Sequence, residues 1–437
     1  MTNLKMGFGR VDFTPDGPVY LNSEIYGTVI AEHLFATAIA WQDGDLTVLQ
    51  FSLDLRNIYD RFYNMLHAAV AEATGLPKDR ILIAVTHNHS APDIACFDKA
   101  ENVDWMDRIG IPAVCKAGNE ALADLAPVTG AVAGKATTHK VGFVRRYFRA
   151  DGSFTGICIP GNVESPIVRH ESQADPELRA VRFYRAGKKD IVMVNFQTHA
   201  AHELSTHRSN IGADFVGFMR EVVEADGDVL SVYCQGACGN VNTFTNVSEE
   251  KEGWPEHYWK IGQSIGESAK EALANAKPLP LGKLKMHFGE LECKVNHAKS
   301  HLADKAKEIR QEKDPARKEQ MMQEAGIGTR YEVSAIIKRS QFPETRMMPV
   351  AALACGEFAE GFAPVELFDT CGKEFRDASC YDTTFFCGYA LGSHSYMPSA
   401  LAFPNVGYEA LECHYVPGTG EMIALELAHQ LRDLRKA

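Results

Sequence analysis

The stretch Ile81-Leu-Ile-Ala-Val85 runs without interruption into Thr86-His87-Asn88-His89-Ser90. Five apolar residues in a row, three of them β-branched, are too short for a typical helix and suit a strand buried on both faces. The polar residues that follow place two imidazoles at the C-terminal edge of that strand, and side chains two apart point to the same side. The pattern recurs. Ile191-Val-Met-Val-Asn-Phe196 leads into Gln197-Thr198-His199-Ala-Ala-His202-Glu203, Met348-Pro-Val-Ala-Ala-Leu-Ala354 into Cys355-Gly356-Glu357, and Thr384-Phe-Phe-Cys-Gly-Tyr389 into Gly392-Ser-His-Ser-Tyr396. In α/β proteins the loops at such edges gather into one crevice, where ligands bind. Histidine, histidine, glutamate and tyrosine delivered there form the donor set of a mononuclear site for a first-row metal ion.

Further strands are expected over 46–53, 128–133 and 229–233, and helices over 58–74, 105–125, 215–225, 258–276 and 421–435. The 258–276 segment carries Ile261, Ile265, Ala269 and Leu273 at four-residue spacing, one buried face. Short apolar runs alternating with helical patterns give an α/β fold, a mixed multi-stranded sheet core flanked by helices with the metal site at strand C-terminal edges. From about 295 to 325 the composition turns to Lys, Glu, Gln and Ala, which reads as a solvated helix or helical hairpin laid on the body and ending at Gly326 or Gly328. With no internal repeat or long linker, residues 1–437 read as one domain.

Composition excludes several classes. Hydrophobic residues make up 45% and charged residues 23% of the 437, ordinary globular values. The 45 Lys and Arg against 57 Asp and Glu leave a net charge of −12, which argues against a nucleic-acid surface. No stretch approaches the ~18 apolar residues of a membrane span. The first ten residues lack an apolar run followed by a cleavage site, and eleven cysteines, an odd number, are spread over the chain. These point to reduced thiols, the cytoplasm, and a small-molecule substrate, with no nucleic acid and no stable membrane insertion, and are compatible with a homo-oligomer.

Taken singly, each candidate has an ordinary reading. His87 and His89 can be hydrogen-bonded loop histidines, and one of His199 and His202 can be incidental. Glu357 is either a ligand or the partner of an arginine, and Tyr396 can be a packed aromatic. Rival chemistries fit less well. Gly262-Gln-Ser264-Ile-Gly266 matches a nucleophile elbow but lies inside a helical pattern with no strand before it. Gly7-Phe-Gly9 lacks the third glycine and the strand of a dinucleotide fingerprint. Cys234 and Cys238 are four apart, unlike the Cys-x₂-Cys of structural zinc, and read as small buried residues.

In order along the chain, these segments resemble the catalytic domain of the neutral/alkaline non-lysosomal ceramidases, zinc-dependent amidases. The similarity starts at Gly7-Phe-Gly-Arg-Val-Asp-Phe-Thr14 and continues through Ser52-Leu-Asp54, Thr86-His87-Asn88-His89-Ser90 and Arg145-Arg146 with Asp151-Gly152. Asp175-Pro-Glu-Leu-Arg-Ala-Val-Arg-Phe183, Asn195-Phe-Gln-Thr-His199 and Gly212-Ala-Asp-Phe215 follow. Gly388-Tyr-Ala-Leu-Gly392, Tyr396-Met-Pro398 and Gly407-Tyr-Glu409 complete it. The resemblance implies one Zn²⁺ per chain held by His87, His199, Glu357 and Tyr396, with Tyr389 and Tyr408 close to the last. It implies His89 as proton shuttle and Arg145 at the oxyanion or a substrate carboxylate.

The chain also departs from that pattern. The family's Gly-Asp-Val-Ser-Pro stands here as Gly239-Asn240-Val241-Asn242-Thr243, so a serine nucleophile at that position is replaced by Asn242. Neither a secretion signal nor a C-terminal β-sandwich module is expected. The function expected is hydrolysis of an amide (N-acyl) bond in a soluble small molecule by metal-activated water. The alternatives are a metal-dependent lactone or ester hydrolase, an isomerase or lyase on a hydroxylated metabolite, and a non-catalytic binding protein with the same fold.

Overall fold

The computed structural model describes residues 3–95, 98–157, 159 and 161–437. In it Ile81–Val85 is a strand buried at all five positions, parallel to Leu46–Leu53. It forms one edge of a nine-stranded sheet. The hydrogen-bonded path runs Val229–Gln235, Asp190–Phe196, Glu177–Arg185, Ala126–Thr137, Lys5–Asp12, Phe35–Asp43, Leu46–Leu53 and Ile81–Val85, with Lys277–Pro278 beside Ala126–Thr137. The middle of the path is antiparallel and its two end pairs are parallel. The path bends back on itself, so that Ser52 Oγ donates to the Tyr233 carbonyl at 2.6 Å.

A second sheet of Leu284–Lys294, Thr345–Cys355, Phe358–Phe362 and Thr383–Cys387 lies against the first. Between them Trp41 stacks on Phe358 with centroids 5.9 Å apart and meets Phe183 edge-on at 5.3 Å, while Phe385 meets Phe358 at 5.3 Å. Burying aromatics of this size contributes heavily to stability, and offset or edge-on contact adds about 0.5–1.5 kcal/mol per pair. Leu284–Lys294 escapes a reading by apolar run because most of its residues are only half buried or exposed.

Close backbone contacts explain two glycine motifs. Ile111–Ala123 lies so near Lys5–Asp12 that a Cβ on Gly7 or Gly9 would stand 1.9 or 2.1 Å from the carbonyl oxygens of Ala121 and Ala117. Gly262 and Gly266 lie on Tyr258–Ala274 where it crosses Asp214–Glu224, and a Cβ on Gly262 would be 2.4 Å from the Phe215 carbonyl oxygen. The Gly-x-Ser-x-Gly string is therefore a helix crossing, not an elbow. Ile261, Ile265 and Ala269 are buried as their spacing predicts, and Leu273 partly so.

Two expectations need correction. The single helix over 105–125 is divided into Ala100–Trp105, a wider π-type turn over Met106–Gly110, and Ile111–Ala123. The charged region is three helices, Ala303–Gln311, Pro315–Glu324 and Arg330–Arg339, and extends past Gly326 and Gly328. It encloses a small core of its own, including Ala306, Ile309, Met321, Val333 and Ile336. The third helix starts at Thr329, whose hydroxyl caps the Glu332 N–H, a signal hidden by the two preceding glycines.

The strand ends converge as α/β topology requires. Val85 N–H donates to Tyr389 O and Leu391 N–H to Ile83 O; Gly236 N–H donates to Phe196 O, Gly388 N–H to Gln235 O and His89 N–H to Ala200 O. Four segments thereby meet at one crevice. Because no side chain fits beneath Ile111–Ala123, Gly9→Val should destabilise the fold by about 1–3 kcal/mol or more, as overfilled cores do. Gly17→Ala, with open space around it, should leave the thermal midpoint nearly unchanged; thermal unfolding followed by circular dichroism reads both.

Candidate metal centre

His87, His89 and His199 present ring nitrogens within 4.8 Å of one another. His87 Nδ1 is 2.8 Å from the Arg56 carbonyl, and His199 Nδ1 is 2.9 Å from the Val241 carbonyl. A carbonyl only accepts, so each Nδ1 must carry the proton and each Nε2 is left with its lone pair turned inward. This is how a backbone carbonyl fixes the tautomer of a ligating histidine. His89 Nε2 approaches His87 Nε2 at 3.2 Å. The ring of Tyr389 stacks on His87 at 3.9 Å and holds its plane.

His87 sits at φ 59°, Tyr389 at 52° and Leu391 at 64°, a left-handed backbone that costs L-residues roughly 1–2 kcal/mol each. Burial drives the pKa of all three histidines well below the usual range, with Arg56 and Arg145 adding to the effect. They are neutral, the form in which imidazole can bind a cation.

The carboxylate at this centre is Glu366, whose Oε2 lies 3.6 Å from His87 Nε2 and 3.7 Å from His199 Nε2. It arrives through the short strand Glu366–Leu367, parallel to Tyr396–Met397 with Glu366 opposite Tyr396. The Tyr389 hydroxyl donates to Glu366 Oε2 at 3.3 Å. Glu357, the expected ligand, is elsewhere. It occupies the tight turn after Gly356 (φ 63°) between antiparallel strands and takes a bidentate ion pair from Arg435 at 2.7 and 2.9 Å. Phe358–Phe362 runs parallel to Thr383–Cys387, so its C-terminal end faces the crevice while Glu357 lies at its start, about 16 Å of strand away. Of the two open readings for Glu357, the arginine partner is the one realised. A signal existed: Pro364-Val-Glu366 follows the stretch 358–363, apolar but for Glu360, at the end the topology sends to the crevice.

Arg145 ties the rest together. Its Nε donates to Glu409 Oε1 at 2.8 Å, Nη1 to His199 Nε2 at 3.1 Å and to Asn242 Oδ1 at 3.3 Å, and Nη2 to the Gly239 carbonyl at 2.9 Å and the Tyr396 hydroxyl at 3.1 Å. Burial alone would weaken its charge, but Tyr396 and Glu409 outweigh that and hold its pKa above the ordinary value. Glu409 also accepts from Arg146 Nη1 at 3.2 Å. Burial and the neighbouring Glu366 push the Tyr396 phenol up, so it is protonated at neutral pH. His199 Nε2 and the Tyr396 oxygen thus lie on two arms of one guanidinium.

Other candidates fall outside the centre. His202 bonds Thr243 Oγ1 and the Glu256 carbonyl. Cys234 and Cys238 are free and buried; Cys238 meets the Tyr389 hydroxyl at 3.1 Å, and Cys234 lies between the sheets with Glu360 and Cys387. Burial pushes Glu360 up to about 8, so this carboxyl is largely neutral. Among the described residues no helix is long and apolar enough to cross a membrane.

No protein-family model matches the chain, and no curated protein matches it significantly. Among solved structures it is similar to neutral ceramidase from Pseudomonas aeruginosa, with a TM-score of 0.71 and 16% identity over 100% of this chain and 75% of that one. It is likewise similar to a ceramidase complexed with C2, with a TM-score of 0.71 and 16% identity over 99% and 76% of the two chains. The fold expected from the motifs is therefore the fold observed, a mixed sheet core flanked by helices.

The depressed histidine pKa values set a sign for the pH dependence. Below about pH 6.5 the unfolded chain takes up protons that the buried rings refuse. Stability of the metal-free protein should fall as pH drops through that value, by up to about 1.4 kcal/mol per pH unit for each such histidine. Urea midpoints between pH 5 and 7 should show it, with a slope shallower by about one proton in His89→Gln.

Proposed function

We propose that this protein is a metal-dependent hydrolase that cleaves an amide bond in a soluble small molecule. One observation carries the reading: two histidines, each with Nδ1–H committed to a backbone carbonyl, turn unprotonated Nε2 atoms toward one carboxylate. Nitrogen and carboxylate donors with fixed tautomers suit Zn²⁺ or a similar first-row ion. In this proposal His87, His199 and Glu366 hold the ion, with the Tyr396 phenol oxygen as fourth group. When bound, such an ion would make water acidic enough to ionise near neutral pH and would polarise a carbonyl.

The chain's own residues supply the remainder. His89, neutral and beside His87, accepts a proton from the attacking water at whichever ring nitrogen is unprotonated and returns it to the departing amine nitrogen, which cannot leave as an anion. Arg145 donates to the carbonyl oxygen as charge builds there. Its Nη1–H, which here satisfies His199 Nε2, would be free to do so were that nitrogen to hold a cation. A guanidinium fixed by Glu409 needs no reorganisation as charge develops, the condition under which such donors act best. Asn242 offers no nucleophile and instead orients Arg145. The similarity to ceramidases supports the amide bond as the target, and the placement in the cytoplasm stays part of this proposal.

Protein purified without a histidine tag should contain about one zinc or similar ion per chain by plasma mass spectrometry. His87→Ala and Glu366→Gln should lose it, whereas Glu357→Gln should keep it. His89→Gln should retain the metal while lowering kcat by about 10²–10⁴-fold, the usual contribution of a general base. Full metal content in Glu366→Gln would overturn the ligand set.

A further inference from the structure

Between the charged helices and the segments carrying Arg56 and Tyr408 lies a cavity of about 570 Å³, within the range of small-molecule sites. The loop at Glu24 forms part of its wall, and the charged helices contribute Arg310, Lys318 and Arg330. Arg56 and Tyr408 also line it. Tyr408 packs on Tyr396 at 5.3 Å, and the Arg56 carbonyl is the acceptor that orients His87, so the cavity opens next to the centre. Four cations against one carboxylate is a sharp local reversal in a chain of net charge −12.

Arg56 is the informative member. Its Nε is sealed from solvent and has no hydrogen-bond partner among the described residues. Asp93 and Glu366 act on it electrostatically, yet among the described residues its guanidinium makes no ion pair, unlike the neighbouring Arg145. The side chain as a whole is half buried and lines the cavity, so the sealed Nε is the atom left unsatisfied, and buried polar groups as a rule find partners. Its planar fork fits a carboxylate in two parallel hydrogen bonds.

We infer that Arg56 receives a carboxylate of the substrate, so that the amide hydrolysed carries a negative charge near the scissile bond, as an N-acyl amino acid does, and is not an uncharged lipid amide. This rests on the amidase reading above. The acid can be on the amine side or the acyl side of the amide, and Arg56 would recognise either.

Four probes separate the cases. N-hexanoylglycine and N-hexanoylethanolamine differ only in carboxylate against hydroxymethyl. N-butylglutaramic acid moves the acid to the acyl side, and N-hexanoyl-O-phosphoethanolamine offers phosphate. Binding to the metal-free protein by calorimetry and kcat/KM of the metal-loaded protein are measured for each. One of the two carboxylates should be preferred over the alcohol by at least 10-fold. Arg56→Gln should reduce that preference by about 10–100-fold, the worth of a hydrogen-bonded charge, and Arg56→Lys should restore part of it with an unchanged circular dichroism spectrum. Equal handling of acid and alcohol, a preference that survives Arg56→Gln, or a stronger preference for phosphate overturns the assignment. If no amide is cleaved but N-hexanoylglycine binds in an Arg56-dependent way, the anion site stands and the amidase reading fails. If amides are cleaved regardless of charge, the reverse holds.

Discussion

The Arg145 guanidinium, paired with Glu409 out of contact with water, is the constraint on which the rest of the crevice depends. A buried charge of this kind is tolerated only with a close counter-charge and satisfied donors. Glu409 supplies the first, and Gly239, Asn242, His199 and Tyr396 supply the acceptors. Those five residues come from chain segments as far apart as His199 and Glu409, so one cation fixes the relative positions of loops that the sheets deliver only approximately. Glu409 in turn shares its second oxygen with Arg146, which is why the two consecutive arginines and the distant Gly-Tyr-Glu motif belong to one structure.

Much of this was legible in the sequence, for a physical reason. Strands buried on both faces are near-continuous apolar runs, so polar residues placed directly after them, His87, His89 and His199, stand out against them. Glu357 misled because the rule that polar residues after a strand meet at one edge holds only for strands pointing the same way. Thr345–Cys355 is antiparallel to its neighbour, and strand direction is a property of pairing that no local pattern records. Glu366 was overlooked because it follows a strand of only five residues and belongs to a two-residue strand. Arg56 carries no signal in sequence at all: that its Nε finds no partner among the described residues is a fact about its surroundings, not about its own place in the chain.

The glycines give a complementary case. Gly7 and Gly9, and Gly262 and Gly266, mimic the spacing of ligand-binding and nucleophile motifs, yet their role is to let backbones touch. Spacing alone does not separate a glycine that makes room for a phosphate from one that makes room for a helix. The element that precedes it does.

The charged helices over 303–339 have a core of their own, distinct from the sheets. The charge that faces the crevice and the machinery inside it are therefore built on separate supports. Arg310, Lys318 and Arg330 can be exchanged without disturbing the strands that hold the histidines. The charge along that wall of the cavity can be rewritten on one surface layer while the strands and histidines beneath it stay as they are.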